Sequence, residues 1–234
     1  MNASRSVKFA LAALMASSVS VASAAPIVIQ TVSDDFGVVW NHLPTPAPAT
    51  GFTLKADATF DVTSVSNTQL VLSINVTNTL DTFSGPTPTG YNGGLTSIGF
   101  SVDPNATAVS FSQQTGGTED FGAAALDSIP SLALVEICAW TANNCNGGGQ
   151  GNLLDEGASD NFQLTLTRNA AEGAWTLNDF GIKIQTSYGS YEFYGEGRIP
   201  PDEVIPEPAP IALMGLALAG IALARRRGKA KQAA

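Results

Sequence analysis

The chain has 234 residues, of which 44% are hydrophobic and 13% are charged, and its formal net charge is −9. The negative charge is concentrated in the middle, because residues 25–204 contain 19 acidic and four basic side chains, a net charge of −15. A domain this acidic repels phosphate backbones and anionic membrane surfaces, which excludes nucleic-acid binding. The same residues are enough for one domain with a buried core.

The first 24 residues have the pattern of a secretory signal peptide. Arg5 and Lys8 give a positive start, residues 9–21 are apolar or small, and Ala22-Ser23-Ala24 is an A-x-A cleavage site. We therefore predict export, with signal peptidase cutting after Ala24. The mature folded domain is then residues 25–204.

Hydrophobic residues in this domain alternate with polar ones at a period of two. The alternating runs are residues 52–62, 70–76, 98–102, 162–166 and 180–184. Such alternation is typical of strands with one side facing solvent, and turn signals separate the runs. We predict an all-β domain of eight to ten antiparallel strands in two sheets, a jelly-roll-like β-sandwich.

Two hairpins are predicted within this sandwich. In the first, residues 52–65 and 69–78 flank a tight polar turn. In the second, residues 180–187 and 191–198 are joined across Gly189.

The last predicted strand carries Tyr191, Phe193 and Tyr194, three aromatic residues within four positions. Two interpretations of this group stand. The rings form a platform on which sugars stack, or they pack into the core and along the sheet edge.

Cys138 and Cys145 are the only two cysteines of the chain. An even count in an exported protein predicts a disulfide. A closed loop of about eight residues gives roughly 2.5 kcal/mol of stabilisation. Two thiols without a nearby histidine do not make a zinc site, and their spacing excludes a C-x-x-C redox pair.

A glycine-rich stretch, residues 145–152, follows the second cysteine and leads into a group of oxygen-bearing side chains. Its spacing matches neither an EF-hand loop nor a phosphate-binding loop. The stretch is either a flexible loop between strands or a Ca²⁺ site, and we predict no other cofactor. The candidate calcium ligands are Asn152, Asp155, Glu156 and Asp160, with Asn144 and Asn146 supplying further oxygens.

Near the C-terminus, the uncharged residues 209–224 precede a basic cluster, residues 225–231. As a helix the uncharged segment would span roughly 24 Å, which crosses a bilayer with some local thinning. Basic residues stay in the cytoplasm, so the folded domain would face outward. We predict a transmembrane helix with Arg225, Arg226 and Arg227 as its stop signal.

Pro206, Glu207 and Pro208 stand directly before this helix. Motif, helix and basic cluster together resemble the PEP-CTERM sorting signal over residues 205–231, although Ile205 stands where the common form has valine. The resemblance implies a Gram-negative host that makes extracellular polysaccharide, recognition by an exosortase, and cleavage near the motif. The helix would then be a transient inner-membrane anchor.

Three further stretches, residues 94–105, 135–152 and 177–186, resemble the cistern family of PEP-CTERM proteins. In that group a cysteine pair precedes a glycine run and a final pair of strands. No biochemical activity is assigned to that group, so the resemblance does not suggest a function.

The sequence offers no catalytic constellation. His42 is the single histidine, and Pro44, Pro46 and Pro48 after it favour an extended loop. This single histidine is not placed beside a serine or cysteine nucleophile motif, and it cannot form a pair of histidine metal ligands. Two carboxylates can hydrolyse a glycosidic bond, but 19 acidic residues make any pairing unspecific.

We therefore predict a non-enzymatic structural or interaction protein of the cell surface or the polysaccharide matrix. The alternative is a lectin-like, Ca²⁺-assisted carbohydrate-binding module. The predicted partners are signal peptidase, exosortase and extracellular polysaccharide.

Overall fold

The computed structural model describes residues 26–49, 51–79, 81–141, 143–146, 152–169 and 173–198. The predicted signal peptide and sorting tail lie outside these residues. The described residues form thirteen strands: β1 (Ile27–Ile29), β2 (Phe36–His42), β3 (Leu54–Val65), β4 (Gln69–Thr77), β5 (Gly93–Asp103), β6 (Ala108–Gln113), β7 (Ala123–Ala125), β8 (Ile137–Trp140), β9 (Leu154–Asp155), β10 (Ser159–Thr167), β11 (Trp175–Thr186), β12 (Gly189–Tyr194) and β13 (Glu196–Arg198). No helix long and apolar enough to cross a membrane occurs in this part of the chain.

The strands form two antiparallel sheets. Sheet A has seven strands in the order β1-β11-β5-β8-β7, with β12 also beside β11 and β9 beside β5. Sheet B has six strands in the order β13-β2-β3-β4-β10-β6. The all-β, two-sheet prediction is confirmed. The strands outnumber the predicted eight to ten because β1, β7, β9 and β13 have only two or three residues each.

The main core lies between the facing sides of the two sheets. On β4 the alternating side chains are fully buried, and those between them are partly exposed, as the period of two predicts. Aromatic rings fill the centre of this core. The ring centroid of Phe60, in sheet B, lies 6.0 Å from that of Phe100 and 5.6 Å from that of Phe180, both in sheet A.

Sheet A departs from the prediction of one wet side, because both of its sides are covered. Every residue from Gly93 to Phe100 is buried. A second cluster, which we call the outer layer, packs on the side of sheet A that faces away from the main core. Its buried members are Ile129, Leu132, Val135, Cys138 and Cys145.

Two glycines of sheet A make room for this outer layer. Gly99 on β5 and Gly181 on β11 are paired across the sheet. A Cβ atom at Gly181 would lie 2.5 Å from the Leu132 side chain, and one at Gly99 would lie 2.5 Å from the Ile137 carbonyl oxygen. Any side chain at these positions would occupy the space that the outer layer fills.

Both predicted hairpins form, as β3–β4 and β11–β12. The second ends earlier than predicted, since β12 stops at Tyr194 and β13 joins β2 in sheet B. The chain crosses from sheet A to sheet B at Gly195, between β12 and β13. The Phe180 carbonyl holds this crossing in place, because it accepts the backbone N–H of Gly195 at 2.7 Å and the indole N–H of Trp40 at 3.2 Å. The predicted strand 191–198 is therefore two strands in different sheets.

The sandwich has two distinct ends. At one of them, which we call the near end, Arg198 pairs with Gly37 at the start of β2. At the opposite or far end, His42 pairs with Leu54, and Gly94 pairs with Asp155. The described segments of the far end are residues 43–49, 51–53, 78–79, 81–92, 141, 143–146, 156–158 and 187–188. The chain therefore approaches its C-terminal tail from the near end.

Candidate functional site at the far end

The structure does not bring the four predicted calcium ligands together. Asn152 and Asp155 are exposed, Glu156 is partly buried, and Asp160 is fully buried. Among the described residues, no group of three or more His, Cys, Asp or Glu side chains is arranged to hold a metal ion. Calcium binding by these four residues stays a prediction, and their positions do not form a common site.

Asp160 is an anchor for the segment between β6 and β7. Its Oδ2 accepts the backbone N–H of Phe121 at 2.7 Å. Its Oδ1 accepts N–H groups from Asn161, Gln113 and Glu119 at 2.8, 3.0 and 3.1 Å. Four donors from its own chain occupy this buried carboxylate, which gives it a structural role.

Glu156 lies against a second carboxyl group, that of Asp81. Its Oε1 accepts the Asp81 backbone N–H at 3.3 Å, and the two side-chain carboxyl groups share a hydrogen bond. Ionised carboxylates only accept hydrogen bonds, so this bond requires one proton on the pair. Asp81 also accepts the Tyr91 hydroxyl and the Lys55 backbone N–H, the latter at 3.2 Å. These donors indicate that Asp81 is ionised and that Glu156 carries the proton.

Both carboxyl groups are harder to ionise than usual. Burial raises the pKa of Glu156 to about 7, with the hydrogen bond and charge of Asp81 acting in the same direction. Burial also raises the pKa of Asp81, against the opposing effect of the Tyr91 and Glu156 hydrogen bonds. The pKa of Tyr91 is raised by burial and by its hydrogen bond to Asp81. Glu156 therefore keeps its proton below about pH 7.

Five aromatic rings, which we call the aromatic cluster, close the main core beside this pair. Phe52 is the buried centre of the cluster. Its ring centroid lies 5.3 Å from Phe83, 5.7 Å from Tyr188, 5.8 Å from Tyr91 and 5.9 Å from Tyr191. Tyr188 is the most exposed ring, with 39% of its surface accessible.

The three aromatic residues of β12 do not form a common platform. Tyr191 packs against the main core, and Phe193 is buried with its ring stacked on His42 at 4.6 Å between centroids. Tyr194 is exposed, and its hydroxyl accepts the Leu134 backbone N–H at 3.4 Å. The packing interpretation therefore fits these residues. His42 ends strand β2 instead of lying in an extended loop, and burial lowers its pKa.

The predicted disulfide between Cys138 and Cys145 is confirmed. Cys138 lies on β8, and the link closes a turn in which the Asn144 side-chain oxygen accepts the Asn146 backbone N–H at 2.9 Å. Most of the glycine-rich stretch after it, residues 147–151, lies outside the described residues. Both cysteines belong to the outer layer, and Cys145 also lies in a far-end segment, so the disulfide fixes that segment to β8.

Asp81 and Tyr91 were not among the residues selected from the sequence. They lie in a stretch rich in serine, proline, glycine and threonine, which predicts only turns. Glu156 was a candidate, but its partner is 75 residues away along the chain. No local pattern connects two residues that meet only when the far end folds.

The C-terminal tail was compared with models of protein families. Residues 204–227 match the model of the PEP-CTERM protein-sorting motif. The chain carries a PEP-CTERM motif. The match includes Pro206, Glu207 and Pro208 together with the three arginines 225–227, all of which lie outside the described residues. It indicates an exported protein that an exosortase processes.

No curated protein and no solved structure matches this sequence. The likeness to the cistern group of PEP-CTERM proteins stays a prediction.

The PEP-CTERM motif begins close to the folded sandwich. Only residues 199–203 separate Arg198, at the near end, from the first matched residue, Val204. A fully extended chain of that length reaches at most about 22 Å. The tail is therefore tied closely to the near end, and the carboxyl pair and aromatic cluster occupy the opposite end.

Proposed function

We propose that this protein is a non-enzymatic structural or interaction protein of the cell surface or the extracellular polysaccharide matrix. An exosortase delivers it there after a transient stay in the inner membrane. The observation that carries the proposal is the opposition of the two ends. With the PEP-CTERM tail held at the membrane, the loops and aromatic cluster of the far end point away from it.

The geometry of Asp81, Glu156 and Asp160 does not fit the carboxyl pair of a glycoside hydrolase. Glycoside hydrolases separate their two carboxyl groups by about 5 Å when they retain configuration and by about 6.5–9.5 Å when they invert it. Asp81 and Glu156 are instead in direct hydrogen-bond contact, which leaves no room for a sugar or a water between them. Asp160 is occupied by four donors from its own chain.

The processing steps are tested by the intact mass of the native protein from the extracellular fraction of its host. The expected form starts at Ala25 and ends near Pro206–Pro208. A variant with Pro206, Glu207 and Pro208 all changed to Ala should stay in the membrane fraction. Its matched control is Glu203→Ala, an acidic residue just outside the motif, which should be processed normally. A native form that keeps residues 211–231 and occurs only in membranes would contradict the proposal.

A carbohydrate-binding module is the second candidate, and one observation favours it. Tyr188 presents an exposed ring whose centroid lies 5.5 Å from that of Tyr91, and the Tyr91 hydroxyl donates to Asp81. Exposed aromatic rings near polar groups suit sugar binding. Because the domain is strongly acidic, a neutral glycan fits it better than an anionic one.

Calorimetry with a neutral β-glucan and with dextran, each with and without Ca²⁺, tests this candidate. The substitution Tyr188→Ala should abolish the binding heat. The control Tyr194→Ala removes an equally exposed tyrosine from a different surface and should have no effect. Absence of heat with every glycan, or equal losses in the two variants, would remove the candidate.

A further inference from the structure

The segment formed by residues 81–91 closes over the far end through few contacts. Thr82 and Thr53 exchange two backbone hydrogen bonds, at 2.9 and 3.0 Å. The other polar contacts that tie this segment to the described residues around it are those of Asp81 with Glu156 and Lys55, and within the segment the Tyr91 hydroxyl donates to Asp81. Two of the five rings of the aromatic cluster, Phe83 and Tyr91, belong to this segment. The position of both rings therefore depends on Asp81.

The turn that carries Glu156 is held independently of its carboxyl group. Asn78 accepts the backbone N–H of Gly157 at 2.7 Å and donates its own to the Ala158 carbonyl at 3.0 Å. The Asn78 side-chain amide also donates to the Leu154 carbonyl at 2.8 Å. The turn is thus a fixed support, and the carboxyl pair is the part of the contact that can change with pH.

Among the described residues, no cation is placed to replace the shared proton. Lys55 on β3 and Tyr91 in the segment act on Asp81, and Tyr191 on β12 acts on Tyr91. Asp57 lies two residues from Lys55 on β3, Asp155 precedes Glu156 in the turn, and Tyr188 acts on Tyr191 at the β11–β12 hairpin. Lys55 attracts Asp81 but makes no ion pair with it within 4 Å in the described structure. Two adjacent negative charges at this partly buried place would repel each other strongly.

We propose that Asp81 and Glu156 form a proton-operated latch, in which one shared proton holds residues 81–91 against the Glu156 turn and loss of that proton releases them. When the proton leaves, the carboxyl–carboxyl hydrogen bond is lost and two carboxylates face each other. The segment then detaches at Asp81, carries Tyr91 with it and uncovers Phe52.

The direction of the pH effect follows from the pKa of Glu156, which folding raises from 4.5 to about 7. Folding therefore favours the protonated pair. The stabilisation that the latch provides is complete below the unfolded pKa of 4.5 and is lost as the pH rises through about 7. At pH 8.5 the shared-proton state should be depleted by up to about thirtyfold.

Hydrogen exchange of the full-length protein in detergent micelles, read by mass spectrometry at pH 6.0 and 8.5 and corrected for intrinsic rates, tests the latch. Peptides covering residues 53–57 and 81–91 contain the two N–H groups that bind the pair, those of Lys55 and Asp81. We expect their protection to fall at least about tenfold at pH 8.5, while peptides of β4 and β10 stay unchanged.

The variant Glu156→Gln keeps a side chain that can donate to Asp81 but cannot ionise, so its protection should be independent of pH. The control Asp155→Asn removes a charge from the neighbouring exposed residue and should behave as the wild type does. Equal protection of the wild type at both pH values, or a fall that persists in Glu156→Gln, would overturn the proposal. A ¹³C-carboxyl NMR titration of the wild type needs no variant. A midpoint near 7 for Glu156 supports the latch, and one near 4.5 overturns it.

Discussion

The main core and the outer layer lie on opposite sides of sheet A and are held together differently. The main core joins both sheets through stacked aromatic and aliphatic side chains, with no covalent link among its described residues. The outer layer buries only five residues, two of which form the disulfide, and the ion pair of Lys183 with Glu192 lies on the same side of the sheet. A layer too small to be stable by burial alone is reinforced by covalent and ionic links.

The largest expected effect comes from opening the main core. The substitution Phe60→Ala removes a fully buried ring that contacts Phe36, Phe100 and Phe180. We expect it to lower the free energy of unfolding by about 3–5 kcal/mol, through lost burial and the cavity that remains. Urea denaturation followed by circular dichroism measures this. A loss below about 1 kcal/mol would mean that the two sheets are not held together by this cluster.

Next in size is the buried ion pair. Lys183 and Glu192 are 2.9 Å apart, and their side chains are only 7% and 11% exposed. Burial acts to raise the pKa of Glu192, but hydrogen bonds from Ser131 and Lys183 lower it below its usual value. The substitution Lys183→Met leaves Glu192 buried without its cation, and we expect a loss of about 3 kcal/mol at pH 7.

The pH dependence distinguishes this mechanism from a packing defect. The stabilisation from Glu192 is present above its unfolded pKa of 4.5 and is lost as the pH falls through its lowered folded value. In Lys183→Met the carboxyl group takes up a proton more readily, so the deficit relative to wild type should shrink on acidification. Adding Glu192→Gln should recover most of the stability at pH 7. An equal deficit at pH 4 and pH 7 would contradict the ionic explanation.

Reduction of the disulfide has a smaller and more local expected effect. Opening Cys138–Cys145 should cost about 2.5 kcal/mol at most. The β-sheet signature in circular dichroism should persist, and faster hydrogen exchange should be confined to residues 126–146. Complete unfolding on reduction would show that the outer layer, and not the main core, determines the stability of the whole domain.

The smallest expected effects are those of alanine substitutions at Gly181 and Gly99, which are paired across sheet A. In Gly181→Ala the new methyl group meets the end of the flexible Leu132 side chain, which can move, so we expect a loss of under about 1 kcal/mol. In Gly99→Ala it meets the Ile137 carbonyl oxygen, which β8 holds in place, and we expect about 2 kcal/mol. Thermal unfolding of both variants checks the order. Equal losses would mean that the outer layer adjusts as a whole.

The main core could be predicted from the sequence, and the outer layer could not. Residues such as Leu70 and Leu72 on β4 follow the period of two that a half-buried strand imposes. The alternation in residues 98–102 and 180–184 predicts a side that faces solvent, and a lysine such as Lys183 is mostly exposed in proteins. Nothing local shows that the segment before β8 folds back over them. Burial of a sheet face depends on where distant chain segments return.

The same reasoning applies to the sites. The PEP-CTERM motif could be identified from the sequence because an enzyme reads it as a linear signal at residues 204–227. The disulfide could be predicted because the only two cysteines of the chain both lie in the exported domain. The Asp81–Glu156 pair could not, because it joins two loops whose approach is set by the meeting of the two sheets. The four donors of Asp160 could not be predicted either, because three of them come from Gln113, Glu119 and Phe121, distant along the chain.

The length of the sandwich sets how far the protein can reach. Strands β3 and β11 each have 12 residues, which at about 3.3 Å per residue gives a rigid body roughly 40 Å long. The tail is tied to one end of this body, so the far-end loops stand off from the attachment point by that length. Adding or removing two residues in the strands would change the stand-off by about 7 Å. The loops themselves can vary without moving the tail, so the far-end surface and the sorting signal can change independently.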